Sequence, residues 1–266
     1  METSTLKIAV IGAGNMGGAI ARGLASGSFS FTTDIRVSDI SEQHLEALKS
    51  FSPPIQTTTS NVEVITNADI IILAVKPWLV EKIADEIRKK INYKKQIIVS
   101  IAAGIDFNVL AKQFDENATF FRVVPNTAID VKQSVSIVSS HQAEESQLAL
   151  ISEIFGELGK IFVVPESQLN AYMSLSSCGI AYAFRYIRAA MEGGVEMGIP
   201  ARTAKEVVMQ TLRGAIELME VTNSHPEIEI DKVTTPGGIT IKGLNEMEAN
   251  GFTNAVIKGL KASHIK

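Results

Sequence analysis

Six residues near the start of the chain, Gly12-Ala13-Gly14-Asn15-Met16-Gly17, have the spacing G-x-G-x-x-G. Alone that pattern is weak. Here the apolar run Leu6 to Ile11 leads into it and a helical stretch, Ala19 to Ala25, leaves it. A strand–loop–helix of this kind binds a dinucleotide. Gly12 allows the tight turn, Gly14 lets the backbone approach a pyrophosphate, and Gly17 lets the helix pack close to the strand. The first amides of the helix then face the anion. Asp39 stands about 20 residues further on, where an acidic side chain holds a ribose 2′-hydroxyl and favours NADH. Ser38 beside it is placed to donate to the 2′-phosphate of NADPH instead, so both cofactors stay open. Lys76, in the stretch LAVKP, ends a strand on the edge where such sheets bind ligands, so Ala74, Val75, Lys76 and Pro77 are expected to line the same cleft.

A second pattern comes late. Asp231 to Thr240 reads DKVTTPGGIT, and the helical stretch KGLNEMEANGF follows. Two glycines free the local amides to point outward, and a helix N-terminus adds positive potential. With hydroxyls from Thr235 and Thr240, this would hold an anion smaller than a pyrophosphate, such as a carboxylate. A turn with threonine caps accounts for the same residues, and the residues alone do not choose between the two.

The elements that must position these groups change character along the chain. Short apolar runs at 6–11, 34–39, 69–75 and 96–101 alternate with helical stretches, and FFRVV, VSIVS and KIFVV add further strand candidates. Ser41 is placed to cap SEQHLEALKS. Alternation of this kind predicts an open, doubly wound parallel sheet with helices on both faces, over residues 1–164. From about Pro165 the strand runs cease. The segment from Glu166 to Ile199 reads as one long helix, closed by Gly198 and followed by a second helix from Ala201 that stops before Asn223. At least one more helix follows Thr240. This all-helical part, residues 165–266, is too small to bury its own apolar faces, and a second copy would cover them, so a homodimer is expected.

Composition bounds the rest. The 266 residues are 45% hydrophobic and 20% charged, with a formal net charge of −4. That profile suits a globular protein and gives no basic surface for nucleic acid or an anionic membrane. Cys178 is the sole cysteine, which excludes an intrachain disulfide and suits a reducing cytoplasm. No stretch suits a membrane span, and the N-terminal apolar run enters a glycine loop instead of a signal-peptide cleavage site. No cysteine–histidine cluster suggests a metal, and His44, His141, His225 and His264 read as surface or turn residues.

The stretches VTTPGGITIKGLNEME, LAVKP, VSIAAG and SSCGIAYAFRYIRAAMEGGVEMGIP resemble those of the Δ1-pyrroline-5-carboxylate reductase family, and the likeness spans essentially the whole chain. Thr235-Pro236-Gly237-Gly238-Ile239-Thr240 is its most specific piece. The resemblance implies an N-terminal Rossmann domain and a C-terminal helical dimerisation domain, in dimers that commonly assemble as a pentamer of dimers. It implies reduction of the cyclic imine to L-proline by hydride from NADPH or NADH. By the same resemblance the substrate carboxylate lies against Thr235, Gly237, Gly238 and Ile239, with Thr240 as the catalytic positioning donor near the ring nitrogen. Glu166 would lie near the substrate, and Asn61, Ile101, Ala102 and Ala103 match cofactor contacts.

One segment departs from the family pattern. Where many members read leucine-serine-glycine-serine-glycine-proline-alanine-tyrosine, this chain has Leu175-Ser176-Ser177-Cys178-Gly179-Ile180-Ala181-Tyr182. Ile180 in place of proline removes a helix kink or break, and Cys178 is a weaker donor than serine. This leaves two other functions to weigh: a reductase for a related imine or small hydroxy acid, and a dinucleotide-binding sensor without turnover. A hydroxy-acid enzyme would ordinarily need a strong acid–base group such as a lysine on the long helix, and between Glu166 and Gly198 the chain has only Arg185 and Arg188.

Overall fold

The computed structural model describes residues 5–51 and 53–264; the outermost residues of the two expected domains, 1–4 and 265–266, lie outside them. The chain divides into two compact units between Ser177 and Cys178. That division falls a short way beyond the composition change at Pro165, because the first turns after Pro165 stay with the sheet.

The first unit opens with β1 (Thr5–Ile11), α1 (Asn15–Ala25), β2 (Thr32–Ser38), α2 (Glu42–Lys49), β3 (Gln56–Thr58) and α3 (Asn61–Val64). It continues through β4 (Ile70–Leu73), α4 (Val80–Ile87), β5 (Ile97–Ser100), α5 (Phe107–Gln113) and β6 (Phe120–Val124). It ends with β7 (Ser134–His141), α6 (Glu145–Gly156), β8 (Gly159–Val163) and the short α7 (Leu169–Met173). The eight strands form one sheet in the order β3-β2-β1-β4-β5-β6-β7-β8. Strand order reverses between β1 and β4, and a crevice opens there at the carboxyl ends of the strands.

Alternation within the strands builds two cores. Ile8, Val10, Ile70, Ile72, Ile97 and Val99 face one layer of helices. Ala9, Ile11, Ile71, Leu73 and Ile98 face the other. Burial on both faces is why these strands read as continuous apolar runs. Ser41 caps α2, accepting a hydrogen bond from the His44 amide.

The sheet is parallel, as expected, except for one pair near its edge. β6 and β7 pair antiparallel, while β7 and β8 pair parallel through α6. The link 125–133 holds only a 3₁₀ turn, Thr127–Val131. A parallel pair needs a crossover of about a dozen residues or more, usually a helix, so this link can only reverse the chain.

The expected single long helix is also divided. A 3₁₀ turn at Glu166–Gln168 and α7 lead into a π-helical turn at Ser174–Cys178, after which α8 (Gly179–Glu196) begins. Ser174 Oγ and Ser176 Oγ donate back to the carbonyls of Asn170 and Tyr172 at 3.0 and 2.9 Å. Such bonds bend helices. The break therefore persists without proline at position 180, contrary to the expectation that Ile180 removes it.

The second unit contains α8, α9 (Ala201–Thr222), α10 (Pro226–Val233), α11 (Ile239–Ala249) and α12 (Phe252–Ala262). Among the described residues Ala204 is its only buried apolar side chain, whereas Phe184, Ile216, Leu218 and Val221 are exposed. The unit has no core of its own. No helix of the described residues is long and apolar enough to cross a membrane.

Candidate functional site

A cleft of about 1140 Å³ opens at the β1/β4 switch point. The glycine loop forms its floor. Gly12 has φ +103°, and a Cβ there would lie 2.5 Å from the Ala74 carbonyl oxygen. A Cβ on Gly17 would overlap the Gly12 carbonyl oxygen and come within 2.9 Å of the Ala74 Cβ. Gly14 N-caps α1, no side chain caps the helix, and a Cβ on Gly14 would enter open space. The first-turn amides of α1 are thus free, with room above them, which is what a pyrophosphate needs.

Gly12, Gly14, Asn15 and Met16 line the cleft, as do Asn61, Ala74, Val75, Lys76 and Pro77. Ile101, Ala102 and Ala103 extend its wall from the end of β5. Ala13 and Gly17 do not line it. Both are buried beneath it, where Gly17 brings α1 against β1. Sequence reasoning missed Ile40, His44, Lys82 and Glu86 at one end of the cleft and Val124, Pro125, Thr127, Met173 and Ser177 elsewhere in it. Pro125-Asn126 directly after a strand was an available signal for the second group. Ser177 donates to the Pro125 carbonyl at 2.8 Å, which brings the π-helical turn to the cleft rim.

The end of β2 is fixed by side chains. Asp39 Oδ2 accepts from the Ala13 amide at 2.6 Å and Oδ1 from the Ser41 amide at 2.7 Å. Ser38 is fully buried, and its hydroxyl donates to Asn61 Oδ1 at 2.7 Å. The hydroxyl therefore holds β2 against α3, in a cleft that Ser38 itself lines. Asn61 Nδ2 in turn donates to Glu86 Oε2 on α4 at 2.9 Å.

Glu166 lies away from this cleft lining. Its Oε1 accepts from Arg122 Nη1 at 2.7 Å and from the Phe107 amide at 2.8 Å. The Arg122 side chain is 7% exposed and that of Glu166 29%. One carboxylate thus ties α5 and β6 to the turn that starts α7.

In the second unit, Thr235-Pro236-Gly237-Gly238 forms a turn in which the Gly238 amide donates to the Thr235 carbonyl at 2.9 Å. Pro236 takes the position that wants φ near −65°, and Gly237, at φ +73°, takes the one that wants positive φ. Gly238 N-caps α11, again with no side-chain cap. Thr235, Ile239 and Thr240 are exposed, and among the described residues the Thr240 hydroxyl makes no hydrogen bond. Free amides, a free hydroxyl and positive helix potential meet at this turn.

A doubly wound sheet with an uncapped glycine loop at its switch point, joined to a helical unit without its own core, defines a nicotinamide-dinucleotide oxidoreductase with a homodimerisation domain. Comparison with known proteins agrees. A family model described as pyrroline-5-carboxylate reductase dimerisation matches residues 166–266, and one described as NADP oxidoreductase, coenzyme F420-dependent, matches residues 7–104. Pyrroline-5-carboxylate reductase of Arabidopsis thaliana is 36% identical over 99% of this chain and 96% of its own length. Pyrroline-5-carboxylate reductase 1 of Dictyostelium discoideum is 37% identical over 97% of this chain, which spans 49% of that relative's length. The crystal structure of the Plasmodium falciparum pyrroline carboxylate reductase with NADP bound superposes with a TM-score of 0.86 at 25% identity, covering 97% of this chain and 95% of that one. The chain belongs to the pyrroline-5-carboxylate reductase family.

Proposed function

We propose that the chain reduces the carbon–nitrogen double bond of Δ1-pyrroline-5-carboxylate to give L-proline, the final step of proline biosynthesis, in a reducing cytoplasm and as a pentamer of dimers. The observation that carries the reading is the Thr235–Thr240 turn, whose uncapped amides and unpartnered hydroxyl suit a small carboxylate, in a chain of this family. In the reaction one hydride adds to the imine carbon and one proton to the nitrogen, and the double bond becomes single. A bound nicotinamide dinucleotide, NADPH or NADH, supplies the hydride.

The protein's task is positioning. The free amides of α1 would hold the pyrophosphate, and Asp39 the adenosine ribose. Asn61, Ala74 to Pro77 and Ile101 to Ala103 would border the rest of the cofactor. Thr235, Gly237, Gly238 and Ile239 would hold the substrate carboxylate, with Thr240 donating near the ring nitrogen. A threonine is too weak an acid to protonate the imine, so Thr240 orients it while water delivers the proton. Glu166 enters this reading through its second oxygen, Oε1 being held by Arg122 and the Phe107 amide.

Steady-state oxidation of NADH and NADPH with the five-membered imine, with proline identified as product, tests the reading. Turnover that drops at least about tenfold in kcat/KM for Thr240→Ala supports it, the loss expected for one hydrogen bond made to the reacting group. Cofactor binding without turnover on this imine would favour the sensor, and turnover confined to a six-membered imine would favour the related reductase.

A further inference from the structure

The end of the cleft beside β2 carries the side chains closest to Asp39, the expected partner of the adenosine ribose. Asp39 is held rigidly there, its side chain 13% exposed, with one backbone amide on each oxygen. Each carboxylate oxygen still has a lone pair for a ribose hydroxyl. The neighbouring hydroxyl, Ser38, is buried and spent on Asn61. Asn61 carries the chain of bonds on to a second carboxylate, Glu86, which lines the same cleft. Two carboxylates and a buried hydroxyl therefore share the end of the cleft where the adenosine ribose is expected.

Basic side chains line the same cleft. His44 Nδ1 already leans on Asp39 Oδ2 at 3.6 Å. Lys76 and Lys82 line the cleft from the segment after β4 and from the turn of α4 before Glu86. Among the described residues no arginine lines the cleft, so no planar fork is available for a phosphate. We propose that this chain selects NADH over NADPH, with Asp39 and Glu86 as the discriminating side chains. Asp39 accepts from the ribose hydroxyls, and both carboxylates repel a 2′-phosphate. The inference rests on the reading of the cleft as the dinucleotide site and not on the identity of the imine.

The test is a binding titration with no imine present. Trp78, the sole tryptophan, is exposed two residues beyond Lys76, so energy transfer from it to a bound reduced nicotinamide reports occupancy. NADH is expected to bind at least about tenfold more tightly than NADPH, about 1.4 kcal/mol by the tenfold conversion. The ratio should narrow as salt screens the repulsion. Glu86→Gln keeps an acceptor for Asn61 and should tighten NADPH about threefold or more while leaving NADH unchanged. Asp39→Asn should weaken NADH and narrow the ratio. Equal or tighter binding of NADPH, or a ratio that neither variant moves, overturns the inference while leaving the cleft assignment intact. Binding of neither cofactor overturns both.

Discussion

The ion pair between Arg122 and Glu166 gives an asymmetric prediction. Arg122 projects from β6 with its side chain 7% exposed, whereas Glu166 is 29% exposed. Glu166→Ala leaves a guanidinium buried without its counter-charge and strips the acceptor from the Phe107 amide. Breaking a fully buried pair by removing one partner costs about 3–5 kcal/mol, and the partial exposure of Glu166 lowers this to about 2–3 kcal/mol. Arg122→Met fills the same space with an apolar chain and leaves Glu166 able to reach water, so its cost is about 1 kcal/mol or less. For a protein of this size each kcal/mol moves Tm by about 2–4 °C. Glu166→Ala should therefore lower Tm by about 4–12 °C and Arg122→Met by at most about 4 °C. Thermal unfolding of both variants, without cofactor and at one fixed protein concentration, provides the comparison. If Arg122→Met proved as damaging as Glu166→Ala, burial would not be what sets the cost. If Glu166→Ala left Tm untouched and raised only KM for the imine, its carboxylate would serve the substrate alone.

Two further outcomes follow from local geometry. In Gly17→Ala the new Cβ meets the Gly12 carbonyl and the Ala74 Cβ, so the loop must move; a loss of about 1–3 kcal/mol in stability and at least tenfold in dinucleotide affinity is expected, read by denaturant unfolding and the same tryptophan titration. In α10, Glu229 has its pKa lowered, first by the hydrogen bond from Lys232 and then by that from Ser224. A lowered folded pKa contributes stability that is present above the unfolded value and is lost as pH falls through the folded one. Carboxyl NMR should find Glu229 titrating below the ordinary glutamate range, and Lys232→Ala should raise it; a titration at the ordinary value would contradict the assignment.

The glycine loop, the strands around it and the capped start of α2 were legible because each is a local pattern followed by its own consequence. LKIAVI is apolar on both faces because both faces of β1 are buried, and GAGNMG follows it directly. The turn at Pro236-Gly237-Gly238 was legible for the same reason, since type and order of residue set its backbone. Four elements escaped. β3 is only Gln56–Thr58 and α3 only Asn61–Val64, each too short to show a period. α6 at Glu145–Gly156 lay between two strand candidates without being assigned. α10 begins at Pro226, a residue that signals the end of the previous helix as readily as the start of a new one.

What the sequence could not show was mostly tertiary. The antiparallel turn into β7 depends on the length and content of the link 125–133, because the strand itself has the same pattern in either direction. The position of Asp39 at the end of β2 led only to the expectation of a ribose partner. That its two oxygens also clamp the Ala13 and Ser41 amides is a contact made across the loop, between residues 26 apart in one case. The same holds for Glu166, whose partner Arg122 is 44 residues away.

The central claim is hydride transfer from the cofactor to the imine carbon. The direct measurement supplies reduced cofactor carrying deuterium at the transferring position of the nicotinamide, together with Δ1-pyrroline-5-carboxylate, and analyses the product by mass spectrometry and NMR. The account predicts L-proline with one deuterium at C5 and oxidised cofactor that has lost it. Proline without the label, or no proline from protein that binds both cofactor and imine, would contradict it.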